Sequence, residues 1–336
     1  MLKRIARMSV GLAVFSAYAF AGTQSEEPPP IPPGFKDDMD VMTAIRTGKV
    51  ETFSRFMHVA IPDGVEEVRD VEYGRVGSRA LVLDLYRPKG EAQPVPGLIF
   101  IHGGGWEDGS KDDLKHYAVR FAGKGYVTAC IGYRLSQEAP FPACVQDAQC
   151  AVRWMRAYAG KYGIAEDRIG LVGASAGAHI AMLAAYVGND GAFEESGGHS
   201  GVSQAVQAVV DLYGPTDFAA LQDRSDRPLI VDFFGGRRFE EAPELYAQAS
   251  PVEYLDASDP PTLVLHGAID SLVPIEQADT LVGKLKALGV DVSYDRLDGY
   301  PHEMDRIKAV FERCVWSMAR FFAQCLGESS RSSEEK

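Results

Sequence analysis

The segment Gly173–Gly177, which reads Gly-Ala-Ser-Ala-Gly, constrains the fold more than any other stretch of this chain. Residues 168–172 before it have the pattern of a short buried strand, and residues 176–187 after it have that of a helix of small and apolar residues. A serine in a sharp strand-to-helix turn needs small neighbours, because the turn imposes strained backbone angles. The pattern predicts a nucleophile elbow, with the Ser175 hydroxyl exposed at the positive end of a helix.

A second glycine-rich motif, His-Gly-Gly-Gly-Trp, occupies residues 102–106 directly after the apolar run 98–101. Acyl transfer builds negative charge on the former carbonyl oxygen, so a site for it needs fixed hydrogen-bond donors at that point. Consecutive glycines let backbone N–H groups approach such an oxygen without interference from side chains. We therefore predict an oxyanion hole formed by the backbone N–H groups of Gly104, Gly105 and Ala176.

Two later motifs, His-Gly-Ala-Ile-Asp at 266–270 and Gly-Tyr-Pro-His-Glu at 299–303, complete a set of four. Over residues 65–325 the chain resembles the α/β-hydrolase superfamily. More narrowly, it resembles the hormone-sensitive-lipase-like bacterial carboxylesterases, a group that includes carbohydrate esterases removing acetyl or feruloyl groups. The resemblance implies a serine esterase and leaves the substrate open.

The superfamily order of nucleophile, acid and base points to three catalytic residues. Ser175 is the expected nucleophile, His302 the base that takes and returns its proton, and Asp270 the acid that orients the imidazole. Asp298 and Glu303 stand closer to His302 in the sequence and remain alternative acids. Asp270 is preferred because the superfamily keeps its acid on the loop after the late strand.

Several other residues near these motifs are expected to be structural. His102 and His266 are expected to make structural hydrogen bonds, and His179 to pack one helical turn after Ser175. Trp106 either lines the acyl side of the site, as a substrate-binding residue, or packs against the glycine loop. The chain has no H-E-x-x-H motif and no Cys/His cluster with zinc spacing, so we expect neither a metal nor another cofactor.

Alternating apolar runs and helical patterns predict one α/β domain with the α/β-hydrolase fold, a mostly parallel eight-stranded twisted sheet flanked by helices. The expected strands are 66–74, 80–86, 97–101, 126–131, 168–172, 206–212, 261–266 and 291–297. The expected helices are 111–123, 144–160, 176–187, 275–288 and 305–325. This catalytic domain spans 59–327, after a Pro-rich linker and possible cap segment at 22–58 and before a disordered tail at 328–336.

Residues 1–21 have the pattern of a secretory signal peptide, with basic residues, a short apolar run and an Ala-Phe-Ala cleavage pattern. The run is shorter than the roughly 18 apolar residues of a membrane span, so we expect a secreted or periplasmic protein without stable membrane insertion. The formal net charge of −13 argues against nucleic acid or anionic membranes as partners. The oligomeric state stays open.

The five cysteines raise the question of disulfide bonds in an exported chain. The closest pair, Cys144 and Cys150, falls on a predicted helix, where six residues rise about 9 Å, beyond the roughly 7 Å limit for bridged Cα atoms. We therefore expect the cysteines to be mostly small buried apolar residues. A bridge stays open if Cys144 precedes its helix.

The motifs together predict a serine carboxylesterase. Only about 45 residues separate Pro215 from Pro260, too few for a large lid domain, so the site is expected to be open and shaded only by residues 37–58 and Phe233-Phe234. By family analogy it suits short-chain acyl esters or ester groups on plant polysaccharide. An amidase or formamidase on the same fold and a non-catalytic binding protein remain the alternatives.

Overall fold

The computed structural model describes residues 27–52, 59–90, 93–188 and 191–327. Within these residues, eight strands form one sheet in the order β1-β2-β4-β3-β5-β6-β7-β8. The strands are β1 (Val65–Val76), β2 (Arg79–Pro88), β3 (Val95–Ile101), β4 (Val127–Ile131), β5 (Ile164–Ala174), β6 (Ala208–Leu212), β7 (Thr262–Gly267) and β8 (Val292–Leu297). Strand β2 runs antiparallel to both of its neighbours, and the other pairs are parallel. The predicted mostly parallel, eight-stranded sheet is confirmed.

Helices flank this sheet, as predicted. They are α1 (Asp38–Arg46), α2 (Lys115–Ala122), α3 (Ala143–Ala157), α4 (Ala159–Tyr162), α5 (Ala176–Val187), α6 (Pro228–Phe233), α7 (Pro243–Gln248), α8 (Ile275–Leu288) and α9 (Lys308–Cys325). The single helix expected at 144–160 is in fact two, because Tyr158, with φ −103° and ψ 15°, is not helical and separates α3 from α4. Gly163 caps the C-terminus of α4 with a left-handed φ of 72°.

The core lies on both faces of the sheet. Helices α3, α5 and α8 pack on one face, and α2 and α9 pack on the other. Strands β4 and β6 are buried along their whole length, as expected for parallel strands covered on both sides. Every residue of α5 is buried, so the helix that follows Ser175 is held firmly against the centre of the sheet.

All five cysteines lie within the described residues and are free thiols. Cys144 and Cys150 both belong to α3, so the alternative in which Cys144 precedes its helix does not occur. Among the described residues, each helix is either too short or too polar to span a bilayer. The predicted signal peptide at 1–21 and the predicted tail at 328–336 lie outside the described residues.

The N-terminal segment, predicted as a linker, packs against the domain. We call residues 31–52 the N-terminal strap. The backbone N–H of Phe35 donates to the carbonyl of Gly299 at 2.7 Å, and the hydroxyl of Tyr300 donates to the carbonyl of Pro32 at 2.5 Å. At its other end, Thr52 forms a β-bridge with Ile307. The strap therefore holds both ends of the loop that contains His302.

Only part of the stretch 37–58 is helical. Helix α1 begins after Asp37, whose side chain accepts a hydrogen bond from the backbone N–H of Asp40 at 2.9 Å. It ends at Arg46, with Thr47 as its C-cap, and residues 53–58 lie outside the described residues.

Candidate active site

Ser175 lies at the junction of β5 and α5, with φ 53° and ψ −120°. These angles are unfavourable for an L-residue, and such strain is found mostly at functional sites. The backbone N–H of Ser175 donates to the carbonyl of Leu212 at 2.8 Å, which fixes the turn. Position 177 must be glycine, because a Cβ there would lie 2.1 Å from the carbonyl oxygen of Ile101. The structure thus places Ser175 in the predicted strand-to-helix turn.

Ser175, His302 and Asp270 are joined by hydrogen bonds. The Oγ atom of Ser175 lies 2.9 Å from Nε2 of His302, and Nδ1 of His302 lies 2.6 Å from Oδ2 of Asp270. The three residues follow β5, β7 and β8, so they meet at the C-terminal edge of the parallel strands, where open α/β sheets hold their ligands. This is the geometry of a serine–histidine–aspartate triad.

The carboxylate of Asp270 is buried and accepts several hydrogen bonds. Its Oδ1 accepts the backbone N–H groups of Leu272 and Val273, each at 2.8 Å, and Nε2 of His266 lies 3.4 Å from Oδ2. Burial alone would raise the pKa of Asp270, but the hydrogen bonds from His266 and His302 outweigh burial and hold this pKa well below its usual range. The acid is therefore ionised throughout the neutral range.

The two alternative acids lie elsewhere. The side chain of Asp298 is 87% exposed and pairs with Nη1 of Arg296 at 2.7 Å. Glu303 pairs with Arg306 at 2.8 Å. The structure therefore brings Asp270, and neither alternative, to the imidazole of His302.

The glycine loop lies directly against the nucleophile. A Cβ at Gly103 would lie 3.2 Å from the Cβ of Ser175. Among the described residues, the backbone N–H groups of Gly104, Gly105 and Ala176 donate to no protein acceptor. The N–H of Ala176 is one of the free donors at the start of α5. The use of these three N–H groups as an oxyanion hole stays a prediction.

Trp106 is a core residue in this structure. It is 5% exposed and stacks on Phe233 with ring centroids 4.4 Å apart. Its Nε1 donates to Nδ1 of His179 at 3.1 Å, and Nε2 of His179 donates to the carbonyl of Ala249 at 2.7 Å. Burial lowers the pKa of His179 to about 4, so this histidine is neutral and able to accept at Nδ1. His179 packs as expected.

Trp106 therefore packs in an aromatic core in this structure, and its contact with substrate stays a prediction. The side chain is absent from the lining of the cavity at Ser175. Phe233 and Phe234, expected to shade the site, are each 1% exposed and belong to the same aromatic core. Residue type alone could not distinguish a side chain that lines the site from one that packs in the core, since large aromatic side chains occur in both.

The other two histidines near the motifs also have structural contacts. Nδ1 of His102 lies 2.8 Å from the carbonyl of Gly103, and its ring stacks on Tyr133 at 4.3 Å. His266 is fully buried, and its Nε2 donates to the carbonyl of Val273 at 2.9 Å. The sequence did not lead us to predict its second contact, with Asp270. The spacing of four residues between them could have indicated that contact.

A cavity opens beside Ser175, towards α2 and the segment that follows His302. Its polar lining residues are Asp113, His116, Tyr213, Glu303, Asp305 and Arg306. Glu303 belongs to the motif at 299–303, and Asp305 and Arg306 follow it closely, whereas no motif marks Asp113, His116 or Tyr213. The described part of the N-terminal strap contributes no residue to this lining.

Comparison with known proteins agrees with this geometry. The sequence model of the BD-FAE family matches residues 83–285, a region that includes Ser175 and Asp270 and ends before His302. The chain belongs to the BD-FAE family. The resemblance to hormone-sensitive-lipase-like α/β-hydrolases, predicted from the four motifs, is confirmed.

Among curated proteins, the chain is 36% identical over 247 residues to esterase LipC of Mycobacterium tuberculosis, which covers 70% of this chain and 60% of LipC. Alignments with the first three curated relatives cover 60–63% of those proteins' lengths.

Solved structures show the same fold. The native form of esterase Est2 of Thermogutta terrifontis superposes with a TM-score of 0.67 at 25% identity, covering 80% of this chain and 95% of that one. A truncated carbohydrate esterase from gut microbiota has a TM-score of 0.67 at 24% identity, covering 77% and 95%. The latter similarity concerns the fold alone.

Proposed function

We propose that the protein is a serine carboxylesterase that hydrolyses short-chain acyl esters through an acyl-enzyme. The observation that carries this proposal is the unbroken hydrogen-bonded path from Ser175 through His302 to Asp270. We infer that the backbone N–H groups of Gly104, Gly105 and Ala176, which donate to no protein acceptor among the described residues, supply the donors that acyl transfer requires. Similarity to the mycobacterial esterase LipC supports an ester as substrate.

The first half-reaction acylates Ser175. His302 accepts the hydroxyl proton at Nε2 while Oγ bonds to the ester carbonyl carbon, and the carbonyl electron pair moves onto its oxygen. The N–H groups of the glycine loop and of Ala176 stabilise that negative charge. The ionised Asp270 stabilises the imidazolium and keeps the Nδ1 proton in place. The tetrahedral species then collapses, and the alcohol leaves with the proton from Nε2.

The second half-reaction releases the acid. His302 takes a proton from a water molecule, whose oxygen attacks the acyl carbon, and the same N–H groups stabilise the second oxyanion. The bond to Oγ then breaks, and His302 returns the proton to Ser175. No further group is needed to balance either step.

The acyl group is proposed to be short. Trp106, which belongs to the glycine loop motif, is buried against Phe233 with ring centroids 4.4 Å apart, so neither side chain is free to line a long acyl chain. The cavity beside Ser175 supports an alcohol portion that carries hydroxyl groups, such as the sugar of a polysaccharide. Glu303 offers a carboxylate acceptor there, and Arg306 offers donors.

An activity panel tests this function. With p-nitrophenyl esters of two to twelve carbons, kcat/KM is expected to be highest at two to four carbons and then to stay level or fall. A groove for long chains would instead add up to about 0.8 kcal/mol per buried methylene, and a steady rise through twelve carbons contradicts the short-acyl proposal. Acetylated xylan, methyl ferulate and a matched p-nitroanilide compare polysaccharide esters, aromatic esters and amides. Faster hydrolysis of the anilide contradicts the assignment as an esterase.

We also propose export to the periplasm or the medium, on the basis of residues 1–21. Expression of the full chain is expected to yield a protein in the exported fraction whose mature sequence begins at residue 22. An Ala21→Leu variant should block cleavage at that position. Uncleaved wild-type protein in the cytoplasm contradicts the proposal.

A further inference from the structure

The imidazole of His302 is held by more than its two nitrogen contacts. Hydrogen bonds at Nδ1 and Nε2 fix the two ends of the ring but leave it free to rock about the line that joins them. The ring of Tyr213 packs against it, with centroids 4.8 Å apart and planes inclined at 65°. That contact restricts the rocking motion. Tyr213 follows β6 and has no place in the four sequence motifs.

Tyr213 is itself fixed at both ends. Its backbone has a φ of 48°, which is rare for a bulky side chain, and its N–H donates to the carbonyl of Leu265 at 3.0 Å. Its hydroxyl donates to Oδ1 of Asp305 at 2.8 Å. The tyrosine is 4% exposed, so this hydrogen bond is sheltered from water.

Asp305 is a buried acid three residues after His302. It is 5% exposed, and its Oδ2 accepts a second hydroxyl, that of Tyr117 on α2, at 2.9 Å. Burial raises the pKa of Asp305, while the hydrogen bonds from Tyr213 and Tyr117 oppose that rise. A buried carboxyl group costs stability unless hydrogen bonds satisfy it, and two tyrosine hydroxyls do so here.

We propose that Tyr213 and Asp305 are positioning residues for His302: Asp305 anchors the Tyr213 hydroxyl, and the anchored ring sets the orientation of the imidazole. This inference rests on the proposed serine esterase function. The strained backbone of Tyr213 and the buried acid Asp305 both lie next to the catalytic base. Backbone strain and preorganised polar groups are typically found where they hold a catalytic group in position.

A matched pair of variants tests the inference, because two tyrosines donate to the same carboxylate and only one contacts His302. Tyr213→Phe removes the hydroxyl that anchors the contacting ring. It is expected to lower kcat by roughly 10- to 100-fold, the scale of a small misplacement of a catalytic group, with KM within about twofold of wild type. Tyr117→Phe removes the other hydrogen bond to Asp305 and should retain kcat within about threefold.

A second measurement reports on the reactivity of Ser175 without substrate turnover. The rate at which an organophosphonate modifies Ser175 depends on proton transfer to His302, and it should fall in Tyr213→Phe by the same factor as kcat. Asp305→Asn keeps the shape of the side chain and is expected to lower both rates with KM unchanged. If Tyr213→Phe does not fold, kcat and the rate of organophosphonate modification in Asp305→Asn test the inference instead.

If kcat falls equally in Tyr213→Phe and Tyr117→Phe, the inference is overturned. A wild-type kcat in Tyr213→Phe also overturns it. Where Tyr213→Phe does not fold, a wild-type kcat in Asp305→Asn has the same meaning. A wild-type protein that hydrolyses no ester refutes the proposed function instead. The two failures are therefore distinguishable.

Discussion

Nδ1 of His302 lies 2.6 Å from Oδ2 of Asp270, although 32 residues separate them in the sequence. Two backbone N–H groups and His266 hold the same carboxylate, so its position is set independently of the imidazole. A carboxylate fixed in this way can select the imidazole tautomer that is able to accept the Ser175 proton.

Removing the charge of this carboxylate should therefore disable the base. Asp270→Asn is expected to lower kcat by roughly four orders of magnitude, because the amide favours the wrong imidazole tautomer. Asp298→Asn is the matched control, since this acid is exposed and pairs with Arg296. Steady-state kinetics on a short p-nitrophenyl ester provides the measurement. The reverse ranking of the two variants places the acid at Asp298.

The N-terminal strap should be required for an intact site, because it contacts both catalytic loops. Besides its contacts around His302, Asp38 Oδ2 accepts the hydroxyl of Ser271, next to Asp270, at 2.9 Å. At position 34 a Cβ would lie 2.2 Å from the carbonyl oxygen of Asp298, so Gly34→Ala should push the strap away. We expect a loss of about 1–3 kcal/mol in the free energy of unfolding, together with lower kcat.

Gly64→Ala is the control for the strap prediction, since a Cβ there meets no atom within 4 Å. Chemical denaturation and kinetics on both variants make the comparison. Equal stability and equal kcat in Gly34→Ala and Gly64→Ala would show that the strap does not support the site.

Asp211 should make stability fall as the pH rises. Its Oδ1 accepts the backbone N–H of Gly214, whereas its buried Oδ2 has no partner among the described residues. Burial raises the pKa of Asp211 to about 6, against opposing contributions from His266 and Gly214. The folded protein therefore binds this proton more tightly than the unfolded chain. Stability that is present below about pH 4 is lost as the pH rises through 6.

Asp211→Asn removes this ionisation. Its stability relative to wild type should increase between pH 4 and 6 and then level off, with a total change on the order of 3 kcal/mol for a shift of about two pKa units. Denaturant unfolding at several pH values measures the difference. A difference that does not vary with pH contradicts the prediction.

The sheet and the elbow could be predicted from local patterns, and Asp270 and His302 from the superfamily order of nucleophile, acid and base. Buried parallel strands appear as apolar runs, and the elbow around Ser175 needs small residues at fixed spacing. The Tyr213–Asp305 contact has no such pattern, since it joins residues 92 positions apart. The strap is another case: its prolines are typical of an extended linker, but only tertiary structure shows that Phe35 and Tyr300 meet edge to face at 5.6 Å.

Covalent labelling of Ser175 tests the central claim most directly. Wild-type protein treated with an organophosphonate is expected to gain one adduct, located on Ser175 by peptide mass spectrometry, and to lose activity in proportion. Ser175→Ala should take up no adduct and should lose several orders of magnitude in kcat while its Tm stays close to that of wild type. Wild-type activity in Ser175→Ala, or inactivation with the adduct on another residue, would contradict the account.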